Sequence, residues 1–231
     1  MILKNYAMSL IKFPLLIAID GPAGSGKGTI AKIVSKKLNL NYLDSGAIYR
    51  LIAYAAIREK INLNDIESLL ILLKKIDIDF DEDQIFVDSF DVSDHIRNEE
   101  VGRAASVIAK YADLRKELLT FQRNFFQGNG LVAEGRDMTT VVFPDAHIKI
   151  YLDASVEERV KRRHKQLILK GKGVNIQNLK MNIIARDKQD KERTYSPLLK
   201  ADDAIILDTN HLDIDQTVTK ITKLVFSRFK S

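Results

Sequence analysis

The stretch LLIAIDGPAGSGKGTIAKIVSKKLN, Leu15 to Asn39, decides the fold: a β-rich apolar run, a glycine-rich loop and a helical pattern follow one another without a break. In the loop, Gly21, Gly24, Gly26 and Gly28 let the backbone turn so that successive N–H groups point inward, and Lys27 adds a point charge. Ile30, Ile33, Val34 and Leu38 then recur at helical spacing, so the loop opens directly into the positive end of a helix. Strand, loop and helix in that order read as a phosphate-binding loop. Gly21, Pro22, Ala23, Gly24, Ser25, Gly26, Lys27, Gly28 and Thr29 are expected to hold the polyphosphate of a nucleoside triphosphate, with Mg²⁺ as its counter-ion. Gly28 follows the lysine where a hydroxyl is usual and Thr29 comes one place later. No metal ligand is assigned, and Thr29 is the one candidate.

Downstream, Tyr42 and Leu43 suggest a second strand, followed by helical spacing at Ile48, Leu51, Ile52 and Ala55 and again from Asp65 to Lys75. Ile76 to Phe80 and Ile85 to Phe90 alternate apolar residues with acids around Asp81 to Asp83, as a hairpin with one wet face would. Helical periodicity from Asp94 to Gln127, with a break near Tyr111 to Asp113, stops at Gly128-Asn129-Gly130. Leu131 to Ala133 and His147 to Leu152 suit buried parallel strands. A basic helix from Val156 to Lys170 ends at Gly171-Lys172-Gly173, another covers Ile176 to Lys191, and Ala204 to Leu207 and Asp213 to Phe229 supply a last strand and helix. The expected fold is α/β: a P-loop parallel sheet with helices on both faces, a small antiparallel β insertion at 63–100 and a short helical lid within 156–193. Residues 1–14 are read as an N-terminal extension, with Met8 as an alternative start, and 15–231 as the P-loop domain.

The chain has 231 residues, 45% of them hydrophobic and 29% charged, enough for one sizeable domain with a real core. It contains no cysteine, which excludes disulfides, thiolate metal sites and a cysteine nucleophile. No apolar run reaches the ~18 residues of a membrane span and no cleavage pattern is read near the start, so a cytoplasmic monomer without membrane contact is expected. The net charge of +5 favours an anionic partner of unspecified class.

Where that charge falls narrows the class. Arg, Ser and Asp cluster in Asp44-Ser45-Gly46-Ala47-Ile48-Tyr49-Arg50, in Glu134-Gly135-Arg136-Asp137, in Arg159 to Arg163 and in Arg186 to Arg193, the first two at strand ends where α/β proteins bind ligands. The GPAGSGKGT form resembles the small-molecule phosphotransferases of the nucleoside monophosphate kinase superfamily, and no guanine-reading NKxD motif accompanies it. LDSGAIYR from Leu43, EGRDM from Glu134 with TVVFPDA from Thr140, the Asp153 to Arg163 helix start, the Arg186 to Arg193 segment and the Pro197 to Thr209 ending together resemble bacterial cytidylate kinase. The likeness runs in order from Leu15 to Thr209.

That resemblance implies a kinase of CMP and dCMP. It implies Ser45, Arg115 and Asp137 as cytosine readers, Tyr49, Arg50, Arg136 and Arg193 around the CMP phosphate, and Ser106, Arg186 and Asp190 at the sugar. Cytosine suits a carboxylate, because its N4 amino group donates where uracil would present an acceptor and leave buried groups unpaired. Lys27, Arg159, Arg163, Arg186 and Arg193 are the expected catalytic set for in-line phosphoryl transfer, stabilised by positioning and positive charge. The acceptor phosphate is a dianion near neutrality and needs no general base. Arg162 to Gly173 resembles a lid that keeps water from the transferred group.

Plainer roles stand beside these. Arg159, Arg162 and Arg163 also fit a solvated basic helix face, Ser106 and Arg115 ordinary helix positions, and Tyr49 core packing. Asp20 and Asp153 end strands and stay outside the catalytic set, and His147 reads as structural. Thr139 stands where the family pattern has glycine, which is expected to shift the acceptor pocket. Gln189 replaces a commonly basic residue and removes a charge from the lid side. A kinase for UMP or AMP, and an RNA-binding P-loop protein without kinase activity, remain the alternatives; no RNA-binding signature is present, and no nucleic-acid partner is expected.

Overall fold

The computed structural model describes residues 13–81, 84–169, 171, 173 and 175–229. Most of the expected N-terminal extension, residues 82 and 83 of the expected turn, and Lys170 and Lys172 near the lid tip lie outside the described residues. The chain divides into two compact units, one taking in residues up to Leu43 and from Gln122 onward, the other Asp44–Phe121.

The first unit is built on a sheet of β1 (Leu15–Asp20), β2 (Asn41–Asp44), β6 (Gly130–Gly135), β7 (Ile148–Asp153) and β8 (Ile205–Asp208), in the order β2-β6-β1-β7-β8. β1 runs parallel to both β6 and β7, and β7 parallel to β8. All six residues of β1 and of β6 are buried, which is why these strands read as continuous apolar runs and not as alternations. Helix α1 (Lys27–Leu38) lays Ile30, Ala31, Val34 and Leu38 on this sheet, and α8 (Ile214–Arg228) adds Val218, Ile221 and Val225 to the same core. Each such leucine, isoleucine or valine contributes on the order of 2 kcal/mol by leaving water. The register sets Asp20 opposite both Gly135 and Tyr151, so β1 and β6 end level with one another while β7 runs two residues further, to Asp153. Everything chemical in this unit lies at or beyond that edge.

Two further helices, α6 (Val156–Leu169) and α7 (Ile176–Glu192), carry a small core of their own from Val160, Leu167, Leu179 and Ile183. The expected last strand is found one residue later, at β8. His147 is structural, as read: its Nδ1 accepts from Leu16 N at 3.0 Å and its ring lies against Phe13 and Phe229.

The second unit holds α2 (Ser45–Arg58), α3 (Ile66–Lys75), a three-stranded antiparallel sheet of β3 (Ile78–Asp81), β4 (Gln84–Val87) and β5 (Phe90–Asp91), α4 (Glu99–Ile108) and most of α5 (Ala112–Arg123). The hairpin is present, but the expected single run from Ile85 to Phe90 is two strands. Asp88 and Ser89 take left-handed φ of 50° and 67°, which reverses the chain between β4 and β5. An aspartate and a serine in a β-branched run hide that turn, because local side-chain hydrogen bonds, here Asp88 accepting from Asp77 N and Arg58, select it. Likewise the helix expected from Asp94 begins as a 3₁₀ turn, His95–Arg97, before Asn98 caps α4 through Val101 N.

Candidate active site

The loop between β1 and α1 presents a bare helix start. Gly26, the N-cap of α1, sits at φ 90° and has no side chain with which to cap, so the first N–H groups stay open to an anion. Lys27 is 8% exposed, with Nζ 3.3 Å from Pro22 O and 3.9 Å from Glu134 Oε2. Ser25 Oγ is buried with no hydrogen-bond partner among the described residues, an orphaned group inside the cradle that a phosphate oxygen would satisfy. These features fit a polyphosphate. For the metal, the oxygen donors at this end of the loop are the exposed Thr29 on the first turn of α1 and the Glu134 carboxylate, a hard donor set suited to Mg²⁺. A Cβ on Gly28 would stand 3.1 Å from Glu134 Oε1, so the glycine that displaces the usual hydroxyl makes room for a carboxylate.

Two arginines of α6 hold the loop's backbone. Arg159, 4% exposed, donates to Ala23 O at 2.9 Å and Ala154 O at 3.0 Å and pairs with Asp187 Oδ2 at 2.6 Å. Arg162 donates to Ser25 O at 3.2 Å and to both oxygens of Thr209, whose own N–H and hydroxyl donate to Asp153 O. Asp153 thus serves β7 and β8 as a backbone junction, while its Oδ1 caps Ala154 N. Arg162, Asp187, Glu134 and Thr209 went unassigned by sequence reading. Glu134, Asp187 and Thr209 each lie inside a motif that carries the family resemblance, and the i,i+3 spacing of Arg159 and Arg162 sets both on one face of α6; those were the signals that could have found them. Arg163 points along its own helix to Gln166 Oε1 at 3.3 Å.

A second group of arginines gathers around Asp190. Arg136 Nε donates to Asp190 Oδ2 at 2.6 Å. Burial opposes ionisation of Asp190, but Arg136, by charge and hydrogen bond, and Arg193 and Arg186, by charge, hold its carboxyl below the ordinary aspartate range. Burial likewise works against the Arg136 cation, which Asp190, Glu134 and Asp187 outweigh. Arg136, Arg186, Asp190 and Arg193, expected together from their motifs, are brought together, with Lys27 and Arg136 both within the field of Glu134.

Asp137 and Asp20 complete this edge. Asp137 is 2% exposed and leads into a short π-helical turn, Met138–Val142. Asp20, fully buried, accepts from Met138 N, Thr139 N and the Thr139 hydroxyl. Burial, with a smaller push from the neighbouring Asp137 charge, raises its pKa to about 6 against the pull of those three donors. The Thr139 hydroxyl, expected to alter the acceptor pocket, is turned into Asp20. Gln189 is half-buried on α7 between Arg186 and Arg193.

The remaining expected residues belong to the second unit. Ser45, 4% exposed, opens α2 behind the Asp44 cap, whose carboxylate accepts from Ala47 N and pairs with Arg97. Arg50 donates to Ile96 O at 2.8 Å and Asn98 O at 3.1 Å, and its guanidinium fills the space that a side chain at Gly102 would need. Ser106 donates to Gly102 O, while Arg115 donates to Ala109 O and stacks 5.3 Å from the Tyr49 ring centroid. Arg50 with Ser106, and Tyr49 with Arg115, are therefore neighbours within this unit.

Comparison with known proteins gives this arrangement a family. Residues 17–227 match the family model described as cytidylate kinase. A cytidylate kinase from Nitrosomonas europaea is 47% identical over 209 residues, 90% of this chain and 94% of its own. One from Bacillus anthracis is 45% identical over 217 residues, 92% of this chain and 96% of its own.

Proposed function

Because the chain belongs to the cytidylate kinase family, we propose that it transfers the γ-phosphoryl group of MgATP to CMP or dCMP, giving ADP and the corresponding diphosphate. It is a phosphotransferase with a phosphate group as acceptor. The observation that carries this reading is the gathering of Arg136, Arg186 and Arg193 on Asp190, beside the strand that feeds the donor loop: a second anion site next to the first. One phosphate-binding loop makes a nucleotide binder; two adjacent anion sites make a transferase.

In this reading the open N–H groups of α1 and Lys27 hold the donor's β- and γ-phosphates. The arginines around Asp190 receive the acceptor phosphate and spread the charge that develops as the phosphoryl group moves between two oxygens. Glu134 and Thr29 would hold Mg²⁺, directly or through its water, and the ion would neutralise charge on the donor phosphates. Asp137 accepts from the cytosine amino group, and Ser45, Tyr49, Arg50, Ser106 and Arg115 keep the acceptor roles that the family resemblance implies. Arg159 acts on the reaction through the loop, by fixing Ala23 O, while the stretch from Arg162 to Gly173 is read as the lid. The site is read as one for small-molecule nucleotides; no helix among the described residues is long and apolar enough to cross a membrane.

The test is product formation from ATP with CMP, dCMP, UMP and AMP as separate acceptors. CMP and dCMP are expected to lead by kcat/KM, and preference for UMP or AMP overturns the cytosine assignment.

A further inference from the structure

Arg159 and Arg162 have all three nitrogens of their guanidinium groups held by protein. Arg159 Nε donates to Ala154 O at 3.0 Å and Nη1 to Ala23 O at 2.9 Å, while Nη2 pairs with Asp187 Oδ2 at 2.6 Å. Arg162 Nε donates to Glu158 Oε1 at 3.1 Å, Nη1 to Ser25 O at 3.2 Å and to the Thr209 hydroxyl at 3.1 Å, and Nη2 to Thr209 O. Thr209, 3% exposed, is itself fixed by hydrogen bonds of 2.9 and 3.0 Å to Asp153 O, so this second clamp is anchored where β7 and β8 end. The two carbonyls held in this way are two residues apart in the loop, and each shares a peptide unit with a glycine N–H: Ala23 O with Gly24 N–H, Ser25 O with Gly26 N–H. Both peptide bonds are trans, so carbonyl and N–H point in opposite directions. A guanidinium that draws the carbonyl toward α6 therefore turns the N–H away from α6.

We propose that Arg159 and Arg162 are positioning residues that set two peptide planes of the donor loop, one each, so that Gly24 N–H and Gly26 N–H point at the donor's phosphates. This deepens the reading of the loop as the ATP site and rests on it. Neither glycine N–H donates to any group among the described residues, whereas Ser25 N–H between them turns back to Pro22 O at 3.3 Å. Each glycine is also fitted to its own arginine: a Cβ on Gly24 would stand 3.3 Å from Arg159 Cβ, and one on Gly26 would stand 3.9 Å from Arg162 Nη1. A glycine-rich loop has many backbone states, few of which present two N–H groups to one anion. Two charge-assisted hydrogen bonds from a helix outside the loop select such a state before the nucleotide arrives.

The test follows the backbone amide signals of Gly24 and Gly26 in proton–nitrogen correlation spectra as MgADP is added to saturation. In the wild type both amide protons are expected to move downfield as they bond to phosphate oxygens. Arg162→Met should abolish the Gly26 shift and spare that of Gly24. Arg159→Met should do the reverse, and if it does not fold the Arg159→Met, Asp187→Leu pair takes its place. Arg162→Met should also raise KM for ATP about tenfold, the scale of one hydrogen bond to a charged group, with KM for CMP unchanged; an unaltered KM for ATP contradicts the proposal. Both shifts intact in both variants, or both lost together in either one, overturns the assignment of one arginine to one N–H and leaves the loop standing as the donor site. If neither signal moves in the wild type, the donor reading fails and this proposal with it.

Discussion

Lys27 is the only cation within the phosphate loop itself, and its ammonium is held between Pro22 O and Glu134, reach enough to follow the transferred group. Lys27→Ala is expected to lower kcat by roughly 100-fold or more, the usual cost of losing a group that meets developing charge; near-normal turnover in the coupled assay contradicts the role given to it. Asp20 makes a different prediction. Its folded pKa of about 6 lies above the ordinary aspartate value of 3.8, so the folded chain keeps a proton that the unfolded chain has lost. The stability it contributes is therefore full below about pH 4 and lost as pH rises through about 6, a change of about 3 kcal/mol. Denaturant unfolding should show the difference between wild type and Asp20→Asn shrinking over that window, and a difference flat with pH contradicts it. Neither Asp20's burial nor its partners were legible in the sequence, since a carboxylate ending an apolar strand is equally a turn cap. What decides the matter is Thr139, 119 positions away in the chain.

Between elements, α6 matters more than its wet, basic composition suggested. Its charges split by face: Lys161 is solvated, whereas Arg159 is sealed between the loop and Asp187 of α7. Removing one partner of a buried pair strands the other, so Arg159→Met is expected to cost roughly 3 kcal/mol or more, and Arg159→Met with Asp187→Leu should recover part of it. Equilibrium unfolding measures both, and additive losses in the double variant would contradict a shared buried pair. The single variant should also raise KM for ATP, because Ala23 O loses its tether. Helical periodicity made α1, α6, α7 and α8 legible, and continuous apolar runs made β1 and β7 legible. The Asp88-Ser89 reversal and the Asn98 cap were not, because short polar residues compete for backbone groups only once neighbouring strands have fixed which groups are left over.

For the whole molecule, the order of motifs along the chain foretold the sheet and its companions, since strands alternating with helices allow few arrangements. The pairing order was beyond reach: β6 lies beside β1 although more than 100 residues separate them, and nothing in either run marks the partner. A nucleotide bound at this edge touches the end of the central strand and should stabilise the folded chain by mass action. At about 100 times its dissociation constant, MgADP is expected to add roughly 2.7 kcal/mol, a rise of several degrees in Tm, and Lys27→Ala should abolish most of it. Equal shifts in both proteins, measured by thermal unfolding, contradict binding at the loop.

Gly28 and Glu134 fit the loop as a pair. Glu134 Oε1 stands 3.1 Å from where any side chain at position 28 would begin, so the serine or threonine common after the lysine in other phosphate loops cannot be restored without moving the carboxylate. Shortening Glu134 first would leave Lys27 without its buried counter-charge; adding the hydroxyl first would press on that charge. Either change alone therefore disturbs the Lys27–Glu134 pair, so the residue after the lysine and the carboxylate at the end of β6 behave as one unit of the loop.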